Sequence, residues 1–269
     1  IYEREKSSKL MINILSHIVE FRNGESGLHV LHIQTITEML LRQLVQKENN
    51  RYALSKEQIR MITTASALHD IGKISIPDEI LNKPGRLTAE EFAVIKGHSM
   101  AGANMLSELP LDQKEEPLVK TAYEICRWHH ERYDGGGYPD GLKGEEIPVS
   151  AQVVALADVY DALTSERCYK DAYSHEKAIE MILAGQCGAF NPLMLECLLD
   201  ISSSLKKKMG YKSKERYEQT DLSDIASRFH DFEMDSSEKI VQQLEFERMR
   251  YNFLAEGSRN IVFTYTISP

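Results

Sequence analysis

Two adjacent histidines, His129 and His130, precede Glu131 and the run Arg132-Tyr133-Asp134-Gly135-Gly136-Gly137-Tyr138-Pro139. Packing explains such a pair poorly, because neighbouring positions on a helix point about 100° apart and cannot share one buried stripe. Two neighbouring imidazoles can, however, reach two ions lying side by side. His69-Asp70 upstream offers a nitrogen and a carboxylate, and a carboxylate can bridge two ions. Asp158 sits among small and apolar residues in Ala157-Asp158-Val159-Tyr160-Asp161, where an uncompensated carboxylate is costly to bury. It needs a cation, either a metal or a buried ion-pair partner. Such a multinuclear His/Asp site points to phosphoester hydrolysis. His98 on a helical stretch, and Glu25 with His29 four residues on, carry little weight alone: a satisfied histidine and a solvated ion pair are the ordinary readings.

The elements that must hold these groups read as helices. One face of residues 4–22 carries Leu10, Ile14, Ile18 and Phe21, and a second helix over 28–47 carries Ile33, Ile36, Leu40, Leu41 and Leu44. A third is expected over 56–70, capped by Ser55 or Asn50 and ending at His69-Asp70. Gly72, Pro77 and Pro84 then mark a loop, and Thr88 with Glu91 reads as a capping box opening a helix to 107. Further helices are expected over 115–131, from Ser150 through Ala162, and over 175–185 and 192–208. Residues 134–144 read as a short hairpin or an ordered loop.

The expected fold class is all-α, a helical bundle with a glycine-rich loop, followed by a C-terminal helix and a short strand. The expected organisation is a connector helix over 1–22, a main domain over 23–210, a polar connection over 211–235, and a helix and strand over 236–269 that ends in Ile261-Val262-Phe263-Thr264-Tyr265-Thr266. That strand has no partner in the sequence, and the chain opens on Ile1, so an excised piece of a longer protein is expected.

Composition narrows the function classes. A net charge of −9 argues against a general DNA or RNA binder, while metal ions and a few Lys and Arg can still make one cleft attractive to a small anion. No apolar run reaches the length of a membrane span, and no secretory signal pattern opens the chain. Cys126, Cys168, Cys187 and Cys197 form no Cys-x-x-Cys pair, so reduced thiols in a cytoplasmic protein are expected and any metal is held by nitrogen and oxygen.

In their order, His69-Asp70, His98, His129-His130 and Asp158 resemble the HD-domain phosphohydrolase superfamily. The run from His129 to Pro139 resembles its HD-GYP subfamily, bacterial phosphodiesterases that hydrolyse cyclic di-GMP. The resemblance covers residues 10–205 and includes Leu68-His69-Asp70-Ile71-Gly72-Lys73, Lys83-Pro84-Gly85-Arg86-Leu87-Thr88 and Ala157 through Thr164, with Arg167, Tyr169 and Lys170. It implies His69, Asp70, His98, His129, His130 and Asp158 as metal ligands, with Asp70 bridging. Glu25 and His29 match positions that accompany a third ion, so two or three divalent ions are implied, and the donor set suits iron or manganese. His32 stands where an Arg is common and is assigned no role.

Lys73, Arg167 and Lys170 match substrate-phosphate positions, and Gly137, Tyr138 and Pro139 either edge a guanine or form a docking surface. Asp161, three residues after Asp158, is expected to orient Lys73 or the nucleophile. The implied reaction is attack of a metal-bridging hydroxide on a cyclic dinucleotide, giving pGpG and then GMP. A phosphohydrolase for another cyclic dinucleotide, and a silent ligand- or partner-binding module, are the competing readings. The tail from Glu245 resembles the opening of a PAS domain, and the first helix resembles a connector after a receiver domain. Receiver, PAS or diguanylate cyclase domains are thus the expected neighbours, with a homodimer through terminal helices.

Overall fold

The computed structural model describes residues 2–22, 28–48, 51–165 and 172–210, with side chains from residue 9. Among the described residues every regular element is helical, as the periodicity predicts. The α-helices are α1 (Tyr2–Arg22), α2 (Leu28–Leu44), α3 (Lys56–Ala65), α4 (Asp78–Leu81), α5 (Ala89–Ser107), α6 (Leu111–Lys114), α7 (Pro117–Trp128), α8 (Val149–Thr164), α9 (His175–Leu183) and α10 (Pro192–Gly210). Short 3₁₀ turns span Ser66–Leu68, Ile71–Ser75 and Gly144–Glu146. The expected connection, helix and strand beyond residue 210 lie outside the described residues, as do Glu25, Arg167, Cys168, Tyr169 and Lys170.

Helix α2 is the axis of the bundle and packs on α3, α8 and α10. Its Val30, Ile33, Ile36, Leu40, Leu41 and Leu44 recur at three- and four-residue steps and are fully buried. Each such side chain contributes roughly 1.5–3 kcal/mol by leaving water. Helix α8 lies between α2, α7 and α9 and is buried along most of its circumference, with small Ala151, Ala155 and Ala157 permitting close neighbours. Asp158 and Asp161 are its two carboxylates, one turn apart.

Capping boxes start two helices. Ser55 and Gln58 exchange side-chain-to-backbone hydrogen bonds at α3, and Thr88 and Glu91 do the same at α5, the latter as the sequence predicts. The two helices that lead into the histidine pairs end sooner than expected. The α-helical path stops at Ala65, where Ser66 Oγ turns back to the Thr63 carbonyl and the chain tightens to 3₁₀. His69 and Asp70 therefore occupy a turn between two 3₁₀ segments. Helix α7 stops at Trp128, which leaves His129 as its C-cap and His130 in the turn beyond. An apolar period resolves α-helix over several turns and is blind to the winding of the last one.

Helix α1, expected as a connector, also packs on α2, α3 and the turns around His69 and Lys73. Its Val19 and Glu20 are buried. Arg22 grips the second 3₁₀ turn, donating to the carbonyls of Lys73 (3.2 Å), Ile74 (2.7 Å) and Ile76 (2.7 Å) and to Asp78 (2.9 Å).

Candidate metal centre

Five parts of the chain converge on one buried cluster. Helix α2 brings His29, the 3₁₀ turns bring His69 and Asp70, α5 brings His98, the end of α7 brings His129 and His130, and α8 brings Asp158. Gly72 sets the distance between two of them. A Cβ there would lie 1.9 Å from the His98 carbonyl oxygen and 2.5 Å from the Gly102 nitrogen, so the Asp70 turn rests backbone to backbone on α5.

Hydrogen bonds fix the imidazole tautomers. Nδ1 of His69 faces the Ser66 carbonyl (3.0 Å), that of His98 the Ile95 carbonyl (2.7 Å), and that of His129 the Ile125 carbonyl (2.8 Å). A carbonyl can only accept, so each Nδ1 carries the proton and each neutral ring presents a bare Nε2. His29 Nδ1 likewise faces an acceptor, Asp161 Oδ2 at 2.6 Å, which turns its Nε2 toward His69. Two pairs of these Nε2 atoms then confront each other: His29 and His69 at 3.4 Å, and His98 and His129 at 3.4 Å. Nε2 atoms this close need a proton or a metal ion between them, and buried imidazoles held from behind in this way are the usual form of a metal ligand.

The ligand atoms fall into two groups, Asp70 with His98, His129 and His130, and His29 with His69 and Asp158. Within each group the candidate atoms lie within 4.8 Å of one another. Asp70 joins them. Its Oδ1 is 3.1 Å from His98 Nε2 and 3.7 Å from His129 Nε2, while its Oδ2 is 3.3 Å from His69 Nε2. Lys73 Nζ pairs with the same Oδ2 at 2.6 Å. Burial opposes the Asp70 charge, yet Lys73 and His69 hold its carboxyl well below the usual range.

The two groups differ electrostatically. Burial pushes the His130 imidazolium down, and neighbouring His129 and His98 push it further; His129 is lowered mainly by burial. At His29 burial also lowers, but the Asp161 hydrogen bond together with Glu20 and Asp158 overcomes it and raises the group to about 10. The field that would hold a proton on His29 is one that favours a cation there.

Several placements differ from what the sequence implied. Asp161 was expected to serve Lys73 or the nucleophile. Its Oδ2 instead receives His29 Nδ1, and its Oδ1 receives His32 Nδ1 at 2.6 Å and Ser165 Oγ at 2.9 Å. It stands behind His29 and orients it, and burial notwithstanding, the two histidines keep it ionised. His32, assigned no role, is thereby a partner of the centre. Glu20, to which the sequence assigns no role, also faces the centre. It is 2% exposed, and its Oε1 lies 3.8 Å from His29 Nε2. Its signal was the same as that of Asp158, a carboxylate inside an apolar run, Ile18-Val19-Glu20-Phe21.

The glycine run closes over this cluster. Glu131 Oε1 accepts from the backbone nitrogens of Asp140 (2.7 Å) and Gly141 (3.0 Å), and Arg127 and Trp128 hold the Asp140 carboxylate from outside. Gly135 takes the left-handed conformation, with φ 84°. A Cβ at Gly137 would lie 2.3 Å from the Arg132 nitrogen, which explains the glycine there. The loop so folded lays the Tyr138 ring on His130, with centroids 4.8 Å apart and planes tilted 28°.

Comparison with known proteins agrees with this picture. The HD domain pattern matches residues 9–190. A probable cyclic di-GMP phosphodiesterase of Vibrio cholerae is 40% identical over 203 residues, covering 73% of this chain and 45% of that one. The 3'3'-cGAMP-specific phosphodiesterase 2 of the same species is 39% identical over 197 residues, covering 73% of this chain and 35% of its own length. The chain thus spans less than half the length of these relatives. A solved structure of a cyclic GMP-AMP-specific phosphodiesterase from V. cholerae superposes with a TM-score of 0.52 at 18% identity, over 77% of this chain and 51% of that one, a likeness of fold. The histidines and aspartates of the two ligand groups all fall within the matched span, and the chain belongs to the HD domain family.

Proposed function

We propose that this domain is a metal-dependent phosphodiesterase that hydrolyses cyclic di-GMP to pGpG or GMP in bacterial second-messenger signalling. One observation carries the reading: the two oxygens of Asp70 face two separate groups of imidazoles, of which His69, His98 and His129 each turn Nδ1 to a backbone carbonyl and Nε2 inward. The names of the curated relatives supply the substrate class.

Two divalent ions bound at these groups would polarise a phosphodiester oxygen and lower the pKa of a water between them. Iron or manganese suits the nitrogen and oxygen donors, and a third ion would use Glu25 with His29. The protein's own part is positional. Asp70 ties the two groups to one turn. Lys73, beside Asp70, offers an ammonium to a non-bridging phosphate oxygen, and Arg167 and Lys170 are assigned the same task. Asp161 and His32 hold His29 in the ligating orientation. Gly137, Tyr138 and Pro139 form the wall against which a guanine rests. Reduced-thiol usage fits a cytoplasmic setting, and no helix among the described residues is long and apolar enough to cross a membrane. The flanking segments are proposed to join receiver, PAS or diguanylate cyclase domains.

A second reading takes 3'3'-cyclic GMP-AMP as the substrate, since one relative bears that name at nearly the same identity. Anaerobic incubation of the manganese- or iron-loaded chain with each dinucleotide, with products resolved by chromatography, separates them. Appearance of pGpG or GMP from cyclic di-GMP at the higher kcat/KM supports the first; faster loss of cyclic GMP-AMP supports the second. Turnover of neither by a fully metallated protein sinks both.

A further inference from the structure

Helix α5 delivers more than His98 to the mouth of the centre. Lys96 lies two residues earlier and Phe92 six, and Phe92 and Lys96 are four apart, so they share a face. The Lys96 ammonium is 5.3 Å from the centroid of the Phe92 ring and 5.6 Å from that of Tyr138. Both are cation–π distances. Tyr138 in turn stacks on His130. A continuous line of rings and one cation therefore runs from a metal-ligand histidine to Phe92, which is 49% exposed. The nearest acid on the helix is already engaged: Glu91 takes both Lys83 (2.7 Å) and the Thr88 nitrogen (2.7 Å). Among the described residues no carboxylate pairs with Lys96.

An exposed aromatic face, an ammonium without an acidic partner and a second aromatic beside the reaction centre are what a purine needs. Rings accept any base by stacking. A lysine ammonium donates to the O6 and N7 acceptors of guanine, whereas adenine turns an amino donor toward the same point. We propose that Phe92, Lys96 and Tyr138 form a purine subsite in which Lys96 selects guanine over adenine. The assignment rests on the cyclic dinucleotide reading above, but it concerns the base rather than the phosphodiester.

GMP and AMP are the probes, because they differ only in the base and are not substrates for phosphodiester cleavage. Their dissociation constants are measured on the manganese-loaded full chain, beside hydrolysis of cyclic di-GMP on the same preparation. The wild type is expected to bind GMP about tenfold more tightly than AMP. Lys96→Met should abolish the difference and Lys96→Arg should keep it, since both cations donate to the same edge. Phe92→Ala should weaken both nucleotides alike. Metal content equal to the wild type confirms that each variant is folded at the centre. An unchanged GMP preference in Lys96→Met, or no preference in the wild type, overturns the subsite. Lys96-dependent preference in a protein that cleaves no cyclic dinucleotide keeps the subsite and removes the phosphodiesterase reading. Cleavage of cyclic di-GMP with no role for Lys96 does the reverse.

Discussion

Behind His98 and His129 stand carbonyl oxygens; behind His29 stands a carboxylate that is itself held by a second histidine. The groups in front are alike, imidazoles sharing Asp70, yet the surroundings drive them apart. On the His130 side burial and crowded imidazoles disfavour positive charge on His129 and His130. On the His29 side Asp158, Asp161 and Glu20 favour positive charge so strongly that a proton is retained up to about 10. One half of the centre is built as a cage of neutral imidazoles around one oxygen of Asp70, the other as a pocket richer in carboxylates. A cation entering the second half competes with a proton, and one entering the first half does not.

Removing one ligand from each half is the largest test of this contrast. His130→Ala should lose one ion per chain from the neutral cage, and Asp158→Ala one from the anionic pocket. Either change should leave roughly 1% of wild-type hydrolysis or less, because both ions act on one phosphodiester. Metal counted by plasma emission on the same samples checks this. Loss of both ions from either variant would show that the halves are not separate.

Proton competition gives the next effect. In His130→Ala, where the His29 half remains, affinity for manganese should rise about tenfold per pH unit between pH 7 and 9, because the proton on His29 must leave. In Asp158→Ala affinity should be flat over that range, since His129 and His130 are already below their ordinary value of 6.5. Equal slopes from calorimetric titrations would erase the distinction.

Asp161→Asn attacks the contrast at its source. An amide cannot accept from both His29 and His32 as a carboxylate does, so affinity in the anionic half should fall about 10- to 100-fold. Its pH dependence should move to lower pH as His29 loses its charged partner. No change in the other half is expected.

What could be read from the chain follows the same division. His69-Asp70, His129-His130 and Asp158 announce themselves through short runs that packing explains poorly, His98 gains weight only from their order, and the structure brings them together. The bundle was legible because α2 repeats its apolar stripe over four turns. The supports behind the ligands were not legible. Asp161 reaches back 132 positions to His29, and no local spacing encodes that pairing. Glu20 was hidden because a helix read as a connector gave no reason to look for a buried acid on it. The apolar period carries helix through the turns at His69 and His129, because one tightened turn does not disturb it.

Gly72 belongs to both halves, since it sets Asp70 against His98. Gly72→Ala should cost about 2–3 kcal/mol or more, because the new methyl meets backbone rather than a side chain that can move aside. A lower melting temperature in the metal-free protein reads this directly, and an unchanged one would mean that the turn can shift without loss.

The central claim is that Asp70 ties the two halves into one centre. Metal counting on Asp70→Ala, set beside the wild type after anaerobic loading with manganese or iron, tests it most directly. The account predicts two or more ions per wild-type chain and loss of both bridged ions in the variant, together with cyclic di-GMP hydrolysis. A variant that keeps its ions and its hydrolysis would contradict it.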